Sequence, residues 1–334
     1  MQRKNHSILA VLLIVIMLIL TACGGNGSAN DAAEGKLRVV TSFYPLQYLT
    51  EAIGGDLVAV NNLIPTGVEP HDWTPKSRDL TRASSADLFL YNGAGLEGWV
   101  DEFLEGLDQG SSVRTIEASR GIDLISGNPE AHAHEGEDDH AADDEHGLEE
   151  EHAGEEHGHE AEDIDPHTWV SPKSMLIMAV NVRDSLIAAD DANRGTYEAG
   201  YAAVQQKLAE LDAAYEELRA LPRRDIVVSH QAFGYLCRDY GLNQVAIMGM
   251  SADAEPKAQD LLNIARYVEE QGIRYIFFEE LVSDELAQTL ADEADVDTLV
   301  LNPVEGLTPK QEANGDNYVT LMELNLQNLR KALQ

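Results

Sequence analysis

Short runs of branched apolar residues recur along the chain, and stretches whose apolar positions follow helical spacing separate them. In the first half, this pattern predicts strands at residues 37–42, 58–64, 87–91 and 113–116, with helices at 46–53, 76–84 and 96–107. Strands that alternate with helices indicate a parallel sheet that is covered on both faces. The first half is therefore predicted to form an α/β lobe.

A longer amphipathic pattern occupies the middle of the chain. Pro172 favours a helix that runs to about residue 188, because proline suits a first helical turn. Beyond residue 193, apolar residues recur three or four positions apart, at Tyr197, Tyr201, Val204, Leu208, Leu211, Tyr215 and Leu218. This stripe predicts a second helix that ends before Pro222 and is about 40 Å long. Such a helix is long enough to join two lobes.

The alternation of strands and helices returns after Pro222. It predicts strands at residues 225–229, 244–248, 274–278 and 298–301, and helices that begin near residues 233, 257, 284 and 317. The predicted fold class is α/β, with two Rossmann-like lobes whose parallel sheets are joined by one long rigid helix. This arrangement leaves a cleft between the lobes, where a ligand can bind.

The first residues of the chain have the features of a secretory signal. Arg3 and Lys4 precede thirteen apolar residues, and residues 20–23 read Leu-Thr-Ala-Cys before a run of small residues. The apolar run is shorter than the roughly twenty residues that a membrane span needs. The residues before Cys23 resemble the bacterial lipobox, which implies that Cys23 is diacylated and anchors the protein to a bilayer. An ordinary cleaved signal and an uncleaved anchor are the alternatives.

An acidic, histidine-rich loop interrupts the α/β pattern. Residues 130–165 contain seven histidines and seventeen carboxylates without any lysine or arginine. Neutral imidazole with carboxylate is the ligand set that borderline divalent metals prefer. We therefore predict accessory metal capture by His132, His134, His140, His146, His152, His157 and His159. A solvated acidic linker is the alternative. Because a flexible tract loses entropy when it closes around an ion, a well-defined metal site is expected elsewhere.

Four metal-ligating residues follow predicted strands or the acidic loop. His71 lies after the second strand, His167 after the acidic loop, His230 directly after the strand at 225–229, and Glu305 after the last strand. In open α/β sheets, ligands bind beyond the carboxyl ends of the strands. Three imidazoles and one carboxylate form a suitable tetrahedral set for Zn²⁺. Taken singly, any of these residues could instead cap a helix or form hydrogen bonds within a loop. Glu69, Glu280 or water could replace Glu305 as the fourth ligand.

Several short motifs surround these residues: Glu-Pro-His at 69–71, Asp-Pro-His-Thr-Trp at 165–169, Ser-His-Gln-Ala-Phe-Gly-Tyr at 229–235 and Asn-Pro-Val-Glu at 302–305. At these motifs the chain closely resembles the metal-specific solute-binding lipoproteins of bacterial ABC importers, the cluster A-I family. Within that family it is similar to the zinc-uptake proteins. The resemblance covers nearly all of residues 36–334. It implies that the three histidines bind one ion in the cleft, and the fourth ligand, for which we favour Glu305, varies among such relatives.

The resemblance implies a function as well as a fold. It implies a protein that is not an enzyme, that captures Zn²⁺ outside the cytoplasm and that delivers the ion to an ABC permease. Manganese-importing relatives carry a carboxylate where His230 stands, and a third imidazole favours zinc. The alternatives are a manganese-type binding protein, a surface adhesin or metal buffer, and a zinc hydrolase. The hydrolase is disfavoured because the sequence has neither a His-Glu-x-x-His motif nor a nucleophile elbow.

The expected organisation follows from these features. It comprises a signal peptide at residues 1–22, a tether at 23–35, an N-terminal lobe at 36–188, a linking helix at 189–222 and a C-terminal lobe at 223–334. The N-terminal lobe includes the acidic loop at 128–164. The net charge of −36 favours cations and disfavours nucleic acid as a partner. We expect a monomer that a lipid anchors to the outer face of a cell membrane of the Gram-positive type.

Overall fold

The computed structural model describes residues 35–107, 110–126, 164–251 and 256–334. The predicted signal, the lipidation site at Cys23 and the seven histidines of the acidic loop lie outside these ranges. The residues from Leu37 to Gln334 belong to one compact unit. In the part of the chain that the structure describes, no helix has the length and apolar character to cross a membrane.

The first lobe is built on a four-stranded parallel sheet. Its strands are β1 (Leu37–Thr41), β2 (Val58–Asn62), β3 (Leu88–Tyr91) and β4 (Arg114–Glu117), in the order β2-β1-β3-β4. Leu88, Phe89 and Leu90 of β3 are all fully buried, as expected for a strand whose two faces are covered. The helices of this lobe are α1 (Tyr44–Gly54), α2 (Ser77–Ser84) and α3 (Val100–Gly106).

Helix α3 begins four residues later than the sequence pattern predicts. Gly93, Ala94 and Gly95 have φ angles of 77°, 51° and 86°, which lie in the left-handed region. Consecutive left-handed residues cannot belong to a right-handed helix. Residues 93–95 therefore belong to a loop, which hydrogen bonds of Asn92 and Glu97 hold in place.

Two helices lie between the sheets in the sequence. Helix α4 (Pro172–Ala189) begins with a proline, and the Ser171 side chain accepts a hydrogen bond from the Lys173 N–H at 3.2 Å. Helix α5 (Arg194–Tyr215) has 22 residues, about 33 Å at 1.5 Å per residue, and continues as a 3₁₀ helix at Glu216–Ala220. It packs against α1 of the first lobe and against the last helix of the chain. The predicted long connecting helix is confirmed.

The second lobe repeats the architecture of the first. Its parallel strands are β5 (Asp225–Val228), β6 (Asn243–Ala246), β7 (Tyr275–Phe278) and β8 (Asp297–Val300), in the order β6-β5-β7-β8. Its helices are α6 (Gly234–Tyr240), α7 (Ala258–Gln271), α8 (Glu285–Glu293), α9 (Pro309–Asn314) and α10 (Tyr318–Leu333). The predicted α/β fold with two parallel sheets is confirmed.

The short helix α9 was not predicted, although the sequence contains its start signal. The Thr308 side chain accepts a hydrogen bond from the Gln311 N–H at 3.2 Å, and the Gln311 side chain accepts one from the Thr308 N–H at 2.8 Å. Pro309 is the first helical residue. This reciprocal capping box with a following proline is a recognised helix start. The helix is only six residues long, too short for apolar periodicity to reveal it.

Candidate metal site

Four side chains from distant parts of the sequence converge on one point. His71 lies in the loop after β2, His167 in the segment before α4, His230 after β5 and Glu305 after β8. One nitrogen or oxygen atom of each residue lies within 4.8 Å of the corresponding atoms of the other three. The structure therefore brings together the four residues that the sequence analysis proposed as metal ligands.

The separations between these atoms fit a tetrahedral metal ion. The Nε2 atom of His167 lies 3.1 Å from Nε2 of His71 and 3.2 Å from Nε2 of His230. Glu305 Oε1 lies 3.4 Å from the His167 nitrogen and 3.6 Å from the nitrogens of His71 and His230. Ligand atoms around Zn²⁺ at about 2.0–2.1 Å lie about 3.3–3.4 Å apart in a tetrahedron. All five of these distances are close to that value.

Three of the four side chains are shielded from solvent. The His167 and His230 side chains have no exposed surface, and Glu305 is 2% exposed, whereas His71 is 12% exposed. Glu305 Oε1 is buried and has no hydrogen-bond partner. A buried carboxylate oxygen without a donor is costly unless a cation satisfies it. The donor set and its burial therefore fit a metal ion that enters past His71.

The His167 ring is oriented by a carboxylate two residues earlier. Asp165 Oδ1 accepts a hydrogen bond from the His167 backbone N–H at 3.0 Å and lies 2.9 Å from His167 Nδ1. Because an ionised carboxylate can only accept, Nδ1 must carry the proton in this contact. The remaining ring nitrogen, Nε2, then points at the centre of the site. This pairing is the usual way in which proteins orient a metal-binding histidine.

Residues from both lobes hold the segment that carries His167. The Asn92 side chain, next to the left-handed loop before α3, donates to the Pro166 carbonyl at 2.9 Å. From the second lobe, the Tyr318 hydroxyl donates to the Trp169 carbonyl at 2.7 Å. The Trp169 indole N–H in turn donates to the Pro303 carbonyl at 2.8 Å. His167 is therefore fixed relative to both lobes.

The loop before α3 is itself fixed by a buried carboxylate. Glu97 accepts hydrogen bonds from the Ser42 hydroxyl at 2.6 Å and from the backbone N–H groups of Asn92 and Gly93 at 2.8 and 3.0 Å. Burial raises the pKa of Glu97, although these hydrogen bonds lower it in part. The carboxyl group thus stabilises the loop whose Asn92 side chain supports Pro166. No sequence pattern predicted this role for Glu97.

The His230 ring is oriented in the same way from a different strand. Glu279 Oε1 lies 2.7 Å from His230 Nδ1 and accepts a hydrogen bond from the His230 backbone N–H at 3.2 Å. Glu279 directly follows β7, which pairs with β5. The sequence analysis named the neighbouring Glu280 as an alternative fourth ligand, but this side chain accepts from Asn302 at 3.0 Å and from Gln311 at 2.5 Å. It therefore supports the Glu305 loop.

The loop that carries Glu305 has an unusual backbone conformation. Val304 is buried and has a φ angle of 58°, which is rare for a β-branched residue. Asn302 holds this turn, since its side-chain oxygen accepts from the Val304 N–H at 2.7 Å. The Asn302 backbone N–H donates to the Asn325 side chain at 2.8 Å. A strained backbone persists when surrounding contacts determine it, and here it directs Glu305 into the site.

Charges within the site are strongly coupled. Burial lowers the pKa of His230, but the charge and hydrogen bond of Glu279 outweigh it and raise the pKa well above its usual value. Burial also lowers the pKa of His167, but the hydrogen bond to Asp165 and the nearby Glu305 carboxylate raise it above normal. For Glu305, burial raises the pKa, but the three imidazole rings, whose nitrogens lie 3.4 to 3.6 Å from Oε1, hold it well below its usual value. The site therefore favours positive charge at its centre.

Glu69, the other carboxylate proposed as a fourth ligand, lies beside the site. Its Oε2 atom accepts from the Asp72 backbone N–H at 3.1 Å, while Oε1 is buried without a hydrogen-bond partner. Burial and the charge of Glu305 raise the pKa of Glu69. Glu69 does not belong to the group of four converging ligands within the described residues. The geometry therefore favours Glu305 over Glu69 and Glu280.

Comparison with known proteins agrees with the fold. A model of the family described as ZnuA, zinc-uptake complex component A, periplasmic, matches residues 39–332. The chain belongs to the ZnuA family. This is a family of solute-binding proteins rather than of enzymes. The zinc-type, cluster A-I resemblance that the motifs implied is confirmed.

Two bacterial zinc proteins are similar over most of this chain. The high-affinity zinc uptake system protein ZnuA of Bacillus subtilis is 36% identical over 325 residues, which cover 96% of each protein. The zinc-binding lipoprotein AdcA of Streptococcus pneumoniae is 40% identical over 329 residues. That alignment covers 98% of this chain but only 61% of AdcA, so the chain spans about three-fifths of this relative.

A solved structure supports the same assignment. The Zn(II)-bound ZnuA-like domain of Streptococcus pneumoniae AdcA superposes with a TM-score of 0.72 at 37% identity. The superposition covers 90% of this chain and 99% of the domain. The region of AdcA that this chain matches is therefore its ZnuA-like domain.

Proposed function

We propose that this protein captures Zn²⁺ outside the cytoplasm and delivers it to the permease of an ABC importer. The observation that carries the proposal is the spacing of His71, His167, His230 and Glu305, whose ligand atoms all lie within 4.8 Å of one another and in five of the six pairs are 3.1 to 3.6 Å apart. The names of the similar AdcA and ZnuA proteins, which describe zinc binding and zinc uptake, support it. Zn²⁺ is the transported cargo.

The four converging residues are the proposed ligands, with Glu305 as the fourth. Three imidazoles with one carboxylate favour zinc over manganese, which prefers oxygen ligands. Copper binds such ligands more tightly by the Irving–Williams order, so we infer that metal availability selects zinc in the cell. The 12% exposure of the His71 side chain makes this residue the first contact for an entering ion. Release requires the segments that carry the ligands to separate.

The proposed activity is binding without catalysis. A catalytic zinc site keeps one coordination position for water and has a general base nearby. Here, protein atoms can occupy all four positions of a tetrahedron. A hydrolase is therefore the weaker alternative.

The proposed organisation follows the sequence features. We infer a signal peptide at 1–22, a tether at 23–35, lobes at 36–188 and 223–334, and a linking helix at 189–222. Cys23 is the proposed lipid attachment site, and the name zinc-binding lipoprotein given to AdcA supports an anchor on the outer face of the membrane. We propose that the anchored protein acts as a monomer and that a membrane permease is its protein partner.

The acidic loop is proposed as an accessory collector of zinc. Its seven histidines can raise the local metal concentration near the site, and short tethers give effective concentrations of the order of millimolar. The described structure supports a separable loop, because Ser126 pairs with Ile164 in an antiparallel bridge and Asp165 N–H donates to the Ile125 carbonyl at 2.9 Å. The two ends of the loop are thus held together beside His167.

A competition titration tests the proposal directly. Purified protein is stripped of metal, and binding of zinc, manganese and copper is measured against chelators of known affinity. We expect one tightly bound zinc ion per chain and much weaker manganese binding. A preference for manganese, or no tight zinc binding, would contradict the proposed site.

A growth assay separates transport from the alternative roles. A strain that lacks the protein should grow poorly only when zinc is scarce and should recover with added zinc. Normal growth of that strain under zinc limitation would instead support a role as a surface adhesin or metal buffer.

A further inference from the structure

The Asp165 carboxylate that orients His167 also contacts the second lobe. Its Oδ1 atom accepts a hydrogen bond from the His167 backbone N–H at 3.0 Å and lies 2.9 Å from His167 Nδ1. Its Oδ2 atom is buried and has no hydrogen-bond partner. The backbone of Gly234, the first residue of α6, lies directly against this second oxygen. One carboxylate therefore lies between a proposed zinc ligand and the opposite lobe.

Gly234 leaves space that any other residue would fill. A Cβ atom built on Gly234 would lie 2.2 Å from Asp165 Oδ2. In proteins, a Cβ atom is essentially never closer than 3.0 Å to such a neighbouring heavy atom. Gly234 lies in the right-handed helix α6 and does not have a positive φ angle. Glycine is therefore required here by the contact with Asp165 and not by the backbone conformation.

Neither side of the contact can easily retreat. The Asp165 N–H donates to Ile125 at 2.9 Å, and its carbonyl accepts from the Tyr235 hydroxyl at 2.8 Å. The start of α6 is held too, because the Phe233 N–H donates to the Gln244 side chain at 3.0 Å. The remaining freedom is rotation of the Asp165 carboxyl group. Such a rotation moves both oxygens and breaks the bonds that Oδ1 makes to His167.

We propose that Gly234 is a positioning residue for zinc binding that acts through Asp165 on His167. The start of α6 in the second lobe sets the plane of the Asp165 carboxylate, and this plane aims His167 Nε2 at the ion. The inference rests on the proposed function, since it assumes that His167 binds zinc. Gly234 thus contributes to metal affinity although it has no side chain that could bind the metal.

The test compares two glycine-to-alanine substitutions near helix starts. Gly234→Ala should weaken zinc binding by about 10- to 100-fold, the usual effect of disturbing the partner of a metal-bound histidine. Gly195→Ala is the control, because Gly195 is the second residue of α5 and a Cβ there meets no atom within 4 Å. The control should keep the affinity of the unaltered protein. Thermal unfolding of both metal-free variants shows whether the fold is kept.

A double-mutant cycle distinguishes the proposed path from a general packing defect. Asp165→Ala removes the oxygen that the new methyl group would strike. If Gly234 acts through Asp165, the substitution Gly234→Ala should cause no further loss of affinity in the Asp165→Ala background. Additive losses in the two backgrounds would overturn the inference.

The remaining outcomes are also decisive. Tight zinc binding by Gly234→Ala, with the unaltered protein also binding tightly, would overturn the inference and leave the proposed function intact. Absence of tight binding in the unaltered protein would overturn the proposed function itself. If Gly234→Ala does not fold, recovery of folding in the double variant supports the contact with Asp165, and failure to recover contradicts it.

Discussion

The two fully buried histidines of the site, His167 and His230, are oriented by the same chemistry in different ways. In each, Nδ1 lies against one carboxylate oxygen, at 2.9 Å for His167 and 2.7 Å for His230. The partner of His167 is Asp165, two residues earlier, whereas the partner of His230 is Glu279, 49 residues later. A local motif orients the first ring, and strand pairing orients the second.

This difference determines what each ring depends on. Glu279 and His230 follow the paired strands β7 and β5, so their contact is made within the second lobe. Asp165 instead lies against Gly234 and Tyr235 of that lobe while its own backbone pairs with Ile125 before the acidic loop. The orientation of the His167 ring therefore depends on how the two lobes pack together, whereas the orientation of the His230 ring does not.

The largest expected effect comes from removing the rings themselves. His167→Ala, His230→Ala and His71→Ala should each weaken zinc binding by more than about 100-fold. Each removes a proposed ligand, and this loss of affinity should exceed the loss caused by removing a residue that only hydrogen-bonds to a ligand. Calorimetric titration with zinc measures the change. A variant with unaltered affinity would exclude that histidine from the site.

Glu305→Ala should have a smaller effect than any of the histidine variants. Water can take the place of one carboxylate oxygen while the three imidazoles still hold the ion. Glu305 Oε1 lies 3.4 Å from the His167 nitrogen and 3.6 Å from the His230 nitrogen. The loss of this carboxylate should therefore affect the two histidines equally. The same titration applies. A loss greater than that of the histidine variants would show that the carboxylate dominates binding.

Removing the orienting carboxylates tests the comparison most directly. Asp165→Ala and Glu279→Ala should each weaken zinc binding by about 10- to 100-fold, since each leaves a ligand ring without its partner. The exposed Glu269 on α7 provides a control, and Glu269→Ala should not change affinity. Each affinity is measured by competition with a chelator. Unaltered affinity in either carboxylate variant would show that the corresponding ring is held by other contacts.

The acidic loop should contribute least to the tight site. Replacing residues 128–163 by a short glycine-serine linker should retain one tightly bound zinc ion and remove additional weak ones. The bridge between Ser126 and Ile164 already holds the loop ends together, so His167 should keep its position. Zinc stoichiometry by metal analysis and titration measures the outcome. Loss of the tight ion in a folded deletion variant would mean that the loop supplies ligands.

The weak loop sites should also depend on pH. Histidine has a reference pKa of about 6.5, so protonation competes with metal binding as the pH falls. The additional zinc ions should therefore be bound at neutral pH and lost below about pH 6. Titrations of the full chain and the loop deletion at both pH values separate these ions from the tight one.

Lipid attachment should not affect zinc affinity at all. Cys23→Ser should release the protein from the membrane, because we propose that an acyl anchor at this residue holds it there. Cell fractionation measures its location, and titration of the purified variant should give the affinity of the unaltered domain. A Cys23→Ser protein that stays on the membrane after signal cleavage would identify a different anchor.

The sequence alone was enough to predict the two α/β lobes, because short apolar runs and helical spacing repeat on both sides of a long amphipathic stripe. It placed Asp165 two residues before His167, but it left open which groups orient the histidine rings. It failed for the start of α3, which lies four residues later than predicted, and for the six-residue α9. The exact start of a helix and the presence of a very short helix cannot be predicted from the periodicity of apolar residues.

Only the tertiary structure decided how the ligand residues are supported. The pairing of β5 with β7 places Glu279, and not Glu280, against His230. The contact of Gly234 with Asp165 joins residues 69 positions apart on different lobes. Sequence patterns report which faces of local elements are buried, whereas contacts between elements depend on how the packed lobes meet. The candidate metal ligands could therefore be proposed from the sequence, whereas the residues that orient their side chains could be found only in the fold.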